Sequence, residues 1–172
     1  MLQASFNQFS FEKKVNETLI GDVFLGKNLL TGHQVLIKIL NLAPNQIQKN
    51  ITPFLKIQEL INNLNIKEFV KSYAFIEEDN KKAIVYEAFD GQYLLSLASS
   101  FSFQEKLEIF KNCLKALQKI HQHHFYHHHL RLESIFISQE TNNPCEVKIA
   151  QAGTSSLLNI HELFKQRESH EA

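Results

Sequence analysis

An α+β fold, with a mainly antiparallel sheet and helices grouped beside it, is what this sequence predicts. Three observations carry that expectation. Two apolar series recur at helical spacing: Phe54, Ile57, Leu60, Ile61 and Leu64, then Leu107, Phe110, Leu114, Leu117 and Ile120. Strand-like runs joined by short polar turns lie on both sides of the first series. A small hairpin pattern over residues 134–150 follows the second. The 172 residues suffice for one sizeable core.

Taken in order, residues 11–19 and 22–29 read as two strands and residues 34–40 as a third. Thr31-Gly32 supplies the turn before the third. That strand is apolar on both faces except at Lys38, which must reach a partner or run its stem out to solvent. Thr52-Pro53 has the form of a helix start, a capping hydroxyl followed by proline in the first turn. Residues 69–76 and 82–89 are strand-like around the polar turn Glu77-Glu78-Asp79-Asn80. Asp90-Gly91 breaks the second of these, and a short helix is predicted over 93–99. Ser102 caps a long helix whose apolar stripe is Leu107, Phe110, Leu114, Leu117 and Ile120, with Ile109 and Cys113 at its edges. Two short strands, 134–138 and 146–150, flank the turn Thr141-Asn142-Asn143-Pro144. From Asn159 the chain is a polar tail.

Composition narrows the function classes. Lysine plus arginine (18) equals aspartate plus glutamate (18), which predicts neither a nucleic-acid nor a membrane-surface partner. No apolar run reaches the length of a membrane span. The first residues lack the basic start and apolar core of a signal peptide. Two cysteines, Cys113 and Cys145, are too few for a disulfide framework and predict free thiols in a reducing, cytoplasmic compartment.

The most informative stretch is Tyr126-His127-His128-His129-Leu130-Arg131-Leu132-Glu133-Ser134, followed by the apolar Ile135-Phe136-Ile137. It has the frame H-R-D-L-x-x-x-N of a kinase catalytic loop. Thr31-Gly32-His33-Gln34-Val35-Leu36-Ile37-Lys38 looks like the kinase second and third strands, with Lys38 as the lysine of V-A-I-K. Ile84-Val85-Tyr86-Glu87 looks like the strand entering the hinge, with Tyr86 as gatekeeper. Together these resemble the eukaryotic-type protein kinase family over residues 11–153. The resemblance implies an N-lobe of five antiparallel strands plus one helix over 11–89, and a partial, mostly helical C-lobe over 90–158. Residues 1–10 are then an N-terminal extension and 159–172 the tail.

The departures from that family predict an absence of catalysis. His129 stands at the catalytic aspartate and Ser134 at the metal-binding asparagine. Gln151-Ala152-Gly153 stands at Asp-Phe-Gly, and a neutral glutamine is a poor ligand for magnesium, which takes carboxylate oxygens. The phosphate-loop glycines correspond to Asn16, Thr18 and Gly21, so only the third survives. Ile57 falls where a glutamate should pair with Lys38. Leu36 and Phe136 are larger than the residues that normally bracket the adenine, so they are expected to meet where the base would lie. Lys38 and Gly21 read as relics, and neither ATP, another cofactor nor a metal is expected. His121, His123, His124, His127, His128 and His129 form a cluster without nearby cysteines. It reads as loop and packing residues rather than a zinc site.

The leading expectation is therefore a catalytically inactive kinase-like module that works through protein contacts, as part of a larger assembly. A nucleotide sensor that does not hydrolyse ATP, and a phosphotransferase using His129 or Glu133, are the alternatives. The resemblance also implies C-lobe helices beyond those present, which would cover the long helix. Leu107, Phe110, Leu114 and Leu117 are accordingly the candidate interaction residues, open to a protein partner.

Overall fold

The computed structural model describes residues 1–18, 20–128, 130–138 and 145–157, with backbone alone at Pro44, Asn45, Gln46, Gln48, Lys49 and Ser155. Leu19, His129, the predicted turn Thr141 to Pro144 and the polar tail from Asn159 lie outside the described residues. In order the elements are β1 (Leu2–Ala4), β2 (Phe9–Thr18), β3 (Gly21–Asn28), β4 (Gln34–Leu40), α1 (Pro44–Leu64), β5 (Ser72–Glu78), β6 (Lys81–Glu87), β7 (Gly91–Tyr93), α2 (Leu94–Leu97), α3 (Phe103–His121), β8 (Ile135–Ser138) and β9 (Val147–Ile149). A large sheet in the order β1-β5-β6-β4-β3-β2 carries α1, and a small sheet β7-β8-β9 packs with α3. The α+β class and the two-lobed kinase-like plan are as predicted.

The large sheet has six strands rather than five. Its extra strand, β1, pairs in parallel with β5, Leu2 beside Ala74 and Ala4 beside Ile76. Residues 1–10 thus join the lobe instead of extending from it. Ala4, Phe6 and Phe9 cover one face of the sheet, over Val35, Ile37, Ala74, Ile76, Ala83 and Val85. The opposite face takes α1 through Ile47 and Phe54, against Leu40, Phe75 and Ile84. The period-2 alternation of β4 sorts its residues between these faces and places Lys38 on the α1 side with Leu36 and Leu40.

α1 starts at Pro44, eight residues ahead of Thr52, and Pro53 lies inside it. The Ile47 amide already donates to the Ala43 carbonyl at 3.1 Å. A proline at the first position loses no helical hydrogen bond, whereas Pro53 forfeits one. Thr52 and Pro53 are both exposed, so the ring lies on the solvent side. The β5–β6 turn narrows to Asp79 and Asn80, whose φ values of 46° and 64° are those of a tight two-residue hairpin. α3 begins as predicted. The Ser102 hydroxyl accepts from the Glu105 amide at 3.3 Å, and the Glu105 carboxylate accepts from the Ser102 amide at 2.8 Å.

The apolar stripe of α3 divides in two. Its buried face is Ile109, Cys113, Ala116 and Ile120. Ile109 and Cys113, expected at the edge, pack on Ile135, Ile137 and Val147 of the hairpin. Ala116 and Ile120 join Ile61, Phe69 and Ile149 in a cluster that ties the two lobes together. Both cysteines are free and buried, and burial raises the Cys113 thiol to about 11.

Candidate functional site

A cleft of about 410 Å³ lies between the sheets, walled by Val23, Leu25, Leu36 and Lys38 above and by Phe136, Ala150 and Gln151 below. The lobes are joined around it by backbone and by charge. The Val70 amide donates to the Ile149 carbonyl at 3.0 Å, and the Ile149 amide to that of Glu68 at 2.6 Å. Lys148 on β9 holds Glu87 at the end of β6 at 2.7 Å.

Lys38 points into this cleft and is only 5% exposed. Its neighbours across the sheet are Val23 and Ile84, both apolar. Among the described residues it has no ion pair or hydrogen bond. Burial alone lowers its pKa from 10.5 to about 8, because the charged amine has lost water without gaining a carboxylate. Among the described residues the amine therefore reaches no protein partner, and it opens only onto the cleft.

The reason lies on α1. Ile57 faces Gly153: a side chain added at Gly153 would lie 2.6 Å from the Ile57 methyl Cγ2, and Gly153 has a φ of 74°. One residue on, the Gln58 amide donates to the Ala152 carbonyl at 2.8 Å from a buried position. α1 is thus packed directly on the 151–153 segment through the apolar Ile57 and the amide of Gln58. Glu59 points away, its side chain 60% exposed.

Gln151 lines the cleft with a φ of 63°. Ser134 is buried and used locally: its hydroxyl accepts from the Arg131 amide at 2.8 Å and donates to the Arg131 carbonyl at 2.9 Å. His127 is buried, with Nε2 2.9 Å from the Ala150 carbonyl and its ring beside Phe69, which agrees with a packing role. The aspartate position, His129, lies outside the described residues. Among the described residues no group of histidine, cysteine and carboxylate side chains could hold a metal ion.

One expectation about the cleft needs correction. Leu36 and Phe136 do not fill it. Both line the open space, and Phe136 stacks on Tyr93 at 4.4 Å and against Phe89 at 5.0 Å between ring centres. Gly21 has a structural requirement of its own. It pairs with Leu40 of β4 and is absent from the cleft wall, and a Cβ there would lie 1.9 Å from the Ile39 carbonyl oxygen. The other loop positions, Asn16 and Thr18, do line the cleft.

Tyr93 was not legible as a site residue. Its hydroxyl accepts from the Asn16 amide across the mouth of the cleft, linking β2 to β7. The two residues are 77 apart in sequence, and no local pattern marks such a pair. Desolvation raises the Tyr93 pKa, and burial does the same for Tyr86 deeper in the cleft.

On the long helix, Phe110 and Leu114 are 58% and 49% exposed, and Leu107 is exposed beside them. Leu117 is partly buried. Phe110, Leu114 and Leu117 border a groove of about 550 Å³ together with Leu94, Ile109 and Leu132. No helix among the described residues is long and apolar enough to cross a membrane.

The chain is similar in sequence to protein kinases. Calcium-dependent protein kinase 4 of Plasmodium berghei is 24% identical over 163 residues, covering 93% of this chain and 31% of that protein. Its counterpart in Plasmodium falciparum is 23% identical over the same length. The probable serine/threonine-protein kinase 2 of Plasmodium falciparum is 22% identical over 156 residues, covering 89% of this chain and 30% of that protein. The chain thus spans about a third of the length of these relatives. Residues 9–170 match the protein kinase domain, and the chain belongs to that family.

Proposed function

We propose that this chain is a catalytically inactive kinase-fold module that acts through protein contacts. The observation that carries the reading is the packing of Ile57 on Gly153, with Lys38 buried and unpaired nearby. Phosphoryl transfer rests on positioned charge. In this reading Gln151 and Ser134 offer magnesium no carboxylate, and no glutamate holds Lys38 toward a phosphate. Two buried, free cysteines accord with a reducing, cytoplasmic location. The kinase activity in the relatives' names belongs to those proteins.

Purified chain is expected to transfer no phosphate from ATP with magnesium or manganese, to itself or to a generic substrate. Activity that disappears in Lys38→Ala would overturn the reading. The open cleft favours one second reading, a nucleotide sensor. Saturating Mg-ATP would then stabilise the fold by about 2.7 kcal/mol at a hundredfold excess over Kd. We expect no change in melting temperature; an upward shift of several degrees selects the sensor.

The contact surface in this proposal is the exposed face of α3. Burying one leucine or phenylalanine side chain contributes about 1.5–3 kcal/mol, so Phe110 and Leu114 together offer a partner a few kcal/mol. Phe110→Asp or Leu114→Asp is expected to weaken recovery of co-purifying protein from the native source at least about tenfold, and Lys81→Ala to leave it unchanged. Equal recovery with all three variants would remove α3 as the contact surface.

A further inference from the structure

We propose that the cleft between the lobes binds a small, flat apolar molecule carrying a single carboxylate, with the Lys38 ammonium as its counter-ion. The inference deepens the functional reading above, resting on its premise that the cleft has no metal-assisted phosphate chemistry.

The first ground is the buried amine. A charged group 5% exposed and unpaired among the described residues is costly to keep, and leucine or methionine would fit between Val23 and Ile84 without that cost. It faces an open cavity rather than packed side chains. An anion entering the cavity would complete the pair that the fold leaves half made. With its pKa lowered only to about 8, the amine is still mainly protonated at neutral pH and acts as a cation.

The second ground is the lining. Phe136 presents an aromatic ring from below, met edge-on by Phe89 and at a tilt by Tyr93, with ring centres 5.0 and 4.4 Å away and interplanar angles of 80° and 37°. Val23, Leu25 and Leu36 form the roof. An apolar ring entering between roof and floor can pack face-on or edge-on against them. The volume of about 410 Å³ lies within the ordinary range for small-molecule sites.

The third ground limits the charge. The charged residues lining the cleft are Lys13, Lys38 and Asp90. Lys13 and Asp90 are exposed and of opposite charge, which leaves Lys38 as the buried cation of the lining among the described residues. Gln151 and Ser134 provide no site for a cation that could neutralise a polyphosphate. One buried positive charge matches one carboxylate.

The test is calorimetric titration of the whole 172-residue chain with naphthoate and, separately, with its neutral amide naphthamide. Naphthoate is expected to bind at one site about 10- to 100-fold more tightly than the amide, the range for a buried charge-assisted hydrogen bond. In Lys38→Met that preference should vanish while the amide still binds. Equal binding of acid and amide to the unaltered chain, or binding of neither, overturns the proposal whether or not the variant folds. A parallel incubation with Mg-ATP separates the two readings. Phosphate transfer there overturns the inactive-module reading, whereas a failed acid-over-amide preference without transfer overturns this inference alone.

Discussion

Gly21→Ala is expected to cost about 4 kcal/mol or more and to lower the melting temperature by roughly 10 °C, or to prevent folding. The new Cβ would lie 1.9 Å from the Ile39 carbonyl oxygen and 2.8 Å from its carbon. Those are backbone atoms near the C-terminal end of β4, where Ile39 is still paired on both sides, with Asp22 of β3 and Ala83 of β6, so they resist moving aside. The backbone conformation adds to the cost, with a φ of 154° at Gly21. Gly32→Ala is the control. It has a φ of 74° but meets only the Lys27 side chain, at 3.9 Å, and should cost about 1 kcal/mol. Thermal unfolding of the two variants compares steric overlap with backbone strain. Equal small losses would show that the β3–β4 contact is looser than described.

Lys38→Met is expected to stabilise the chain at neutral pH. A pKa lowered from 10.5 to about 8 corresponds to roughly 3 kcal/mol spent keeping the buried amine charged, at about 1.4 kcal/mol per pH unit. Between pH 8 and 10.5 the unfolded chain holds the Lys38 proton while the folded chain has released it. The wild type therefore gains stability relative to the variant as pH rises through that window. The advantage of methionine should be complete below pH 8 and gone above pH 10.5. Urea unfolding of both chains at several pH values measures it, and the comparison cancels the titration of the tyrosines. A difference that does not vary with pH, or a wild type more stable at neutral pH, would mean that Lys38 has a compensating partner.

These two positions show why sequence signatures and tertiary roles separate in this chain. The resemblance to the family assigned both Gly21 and Lys38 to nucleotide-contacting positions. Gly21 is required by the sheet alone, since its missing side chain makes room for β4. Lys38 keeps its direction into the cleft because strand alternation fixes which way residue 38 points. What it meets there is decided by α1, where Ile57 packs on Gly153. Restoring a carboxylate would take more than Ile57→Glu, because the new side chain would have to displace that contact.

By itself the sequence determined whatever rests on neighbours along the chain. Alternation placed Lys38 on the face of β4 opposite Val35 and Ile37. The Ser102 cap set the start of α3, the polar run Glu77 to Asn80 the turn of the hairpin, and Lys38, the hinge strand and the catalytic-loop frame together the family. Tertiary structure decided the rest, through contacts between distant residues that leave no local signal. β1 was invisible because a three-residue strand has too few positions to show alternation, and its partner lies some seventy residues away at Ala74 to Ile76. Pro53 looked like a helix start because its local chemistry suits one; the packing of Ile47 and Phe54 on the sheet extends α1 back past it. α3 carries apolar residues on two adjoining faces, and helical periodicity cannot rank them. Ile109, Cys113, Ala116 and Ile120 are inside because the β8–β9 hairpin and the joint between the lobes lie on their side, and Phe110 and Leu114 remain exposed because neither does on theirs.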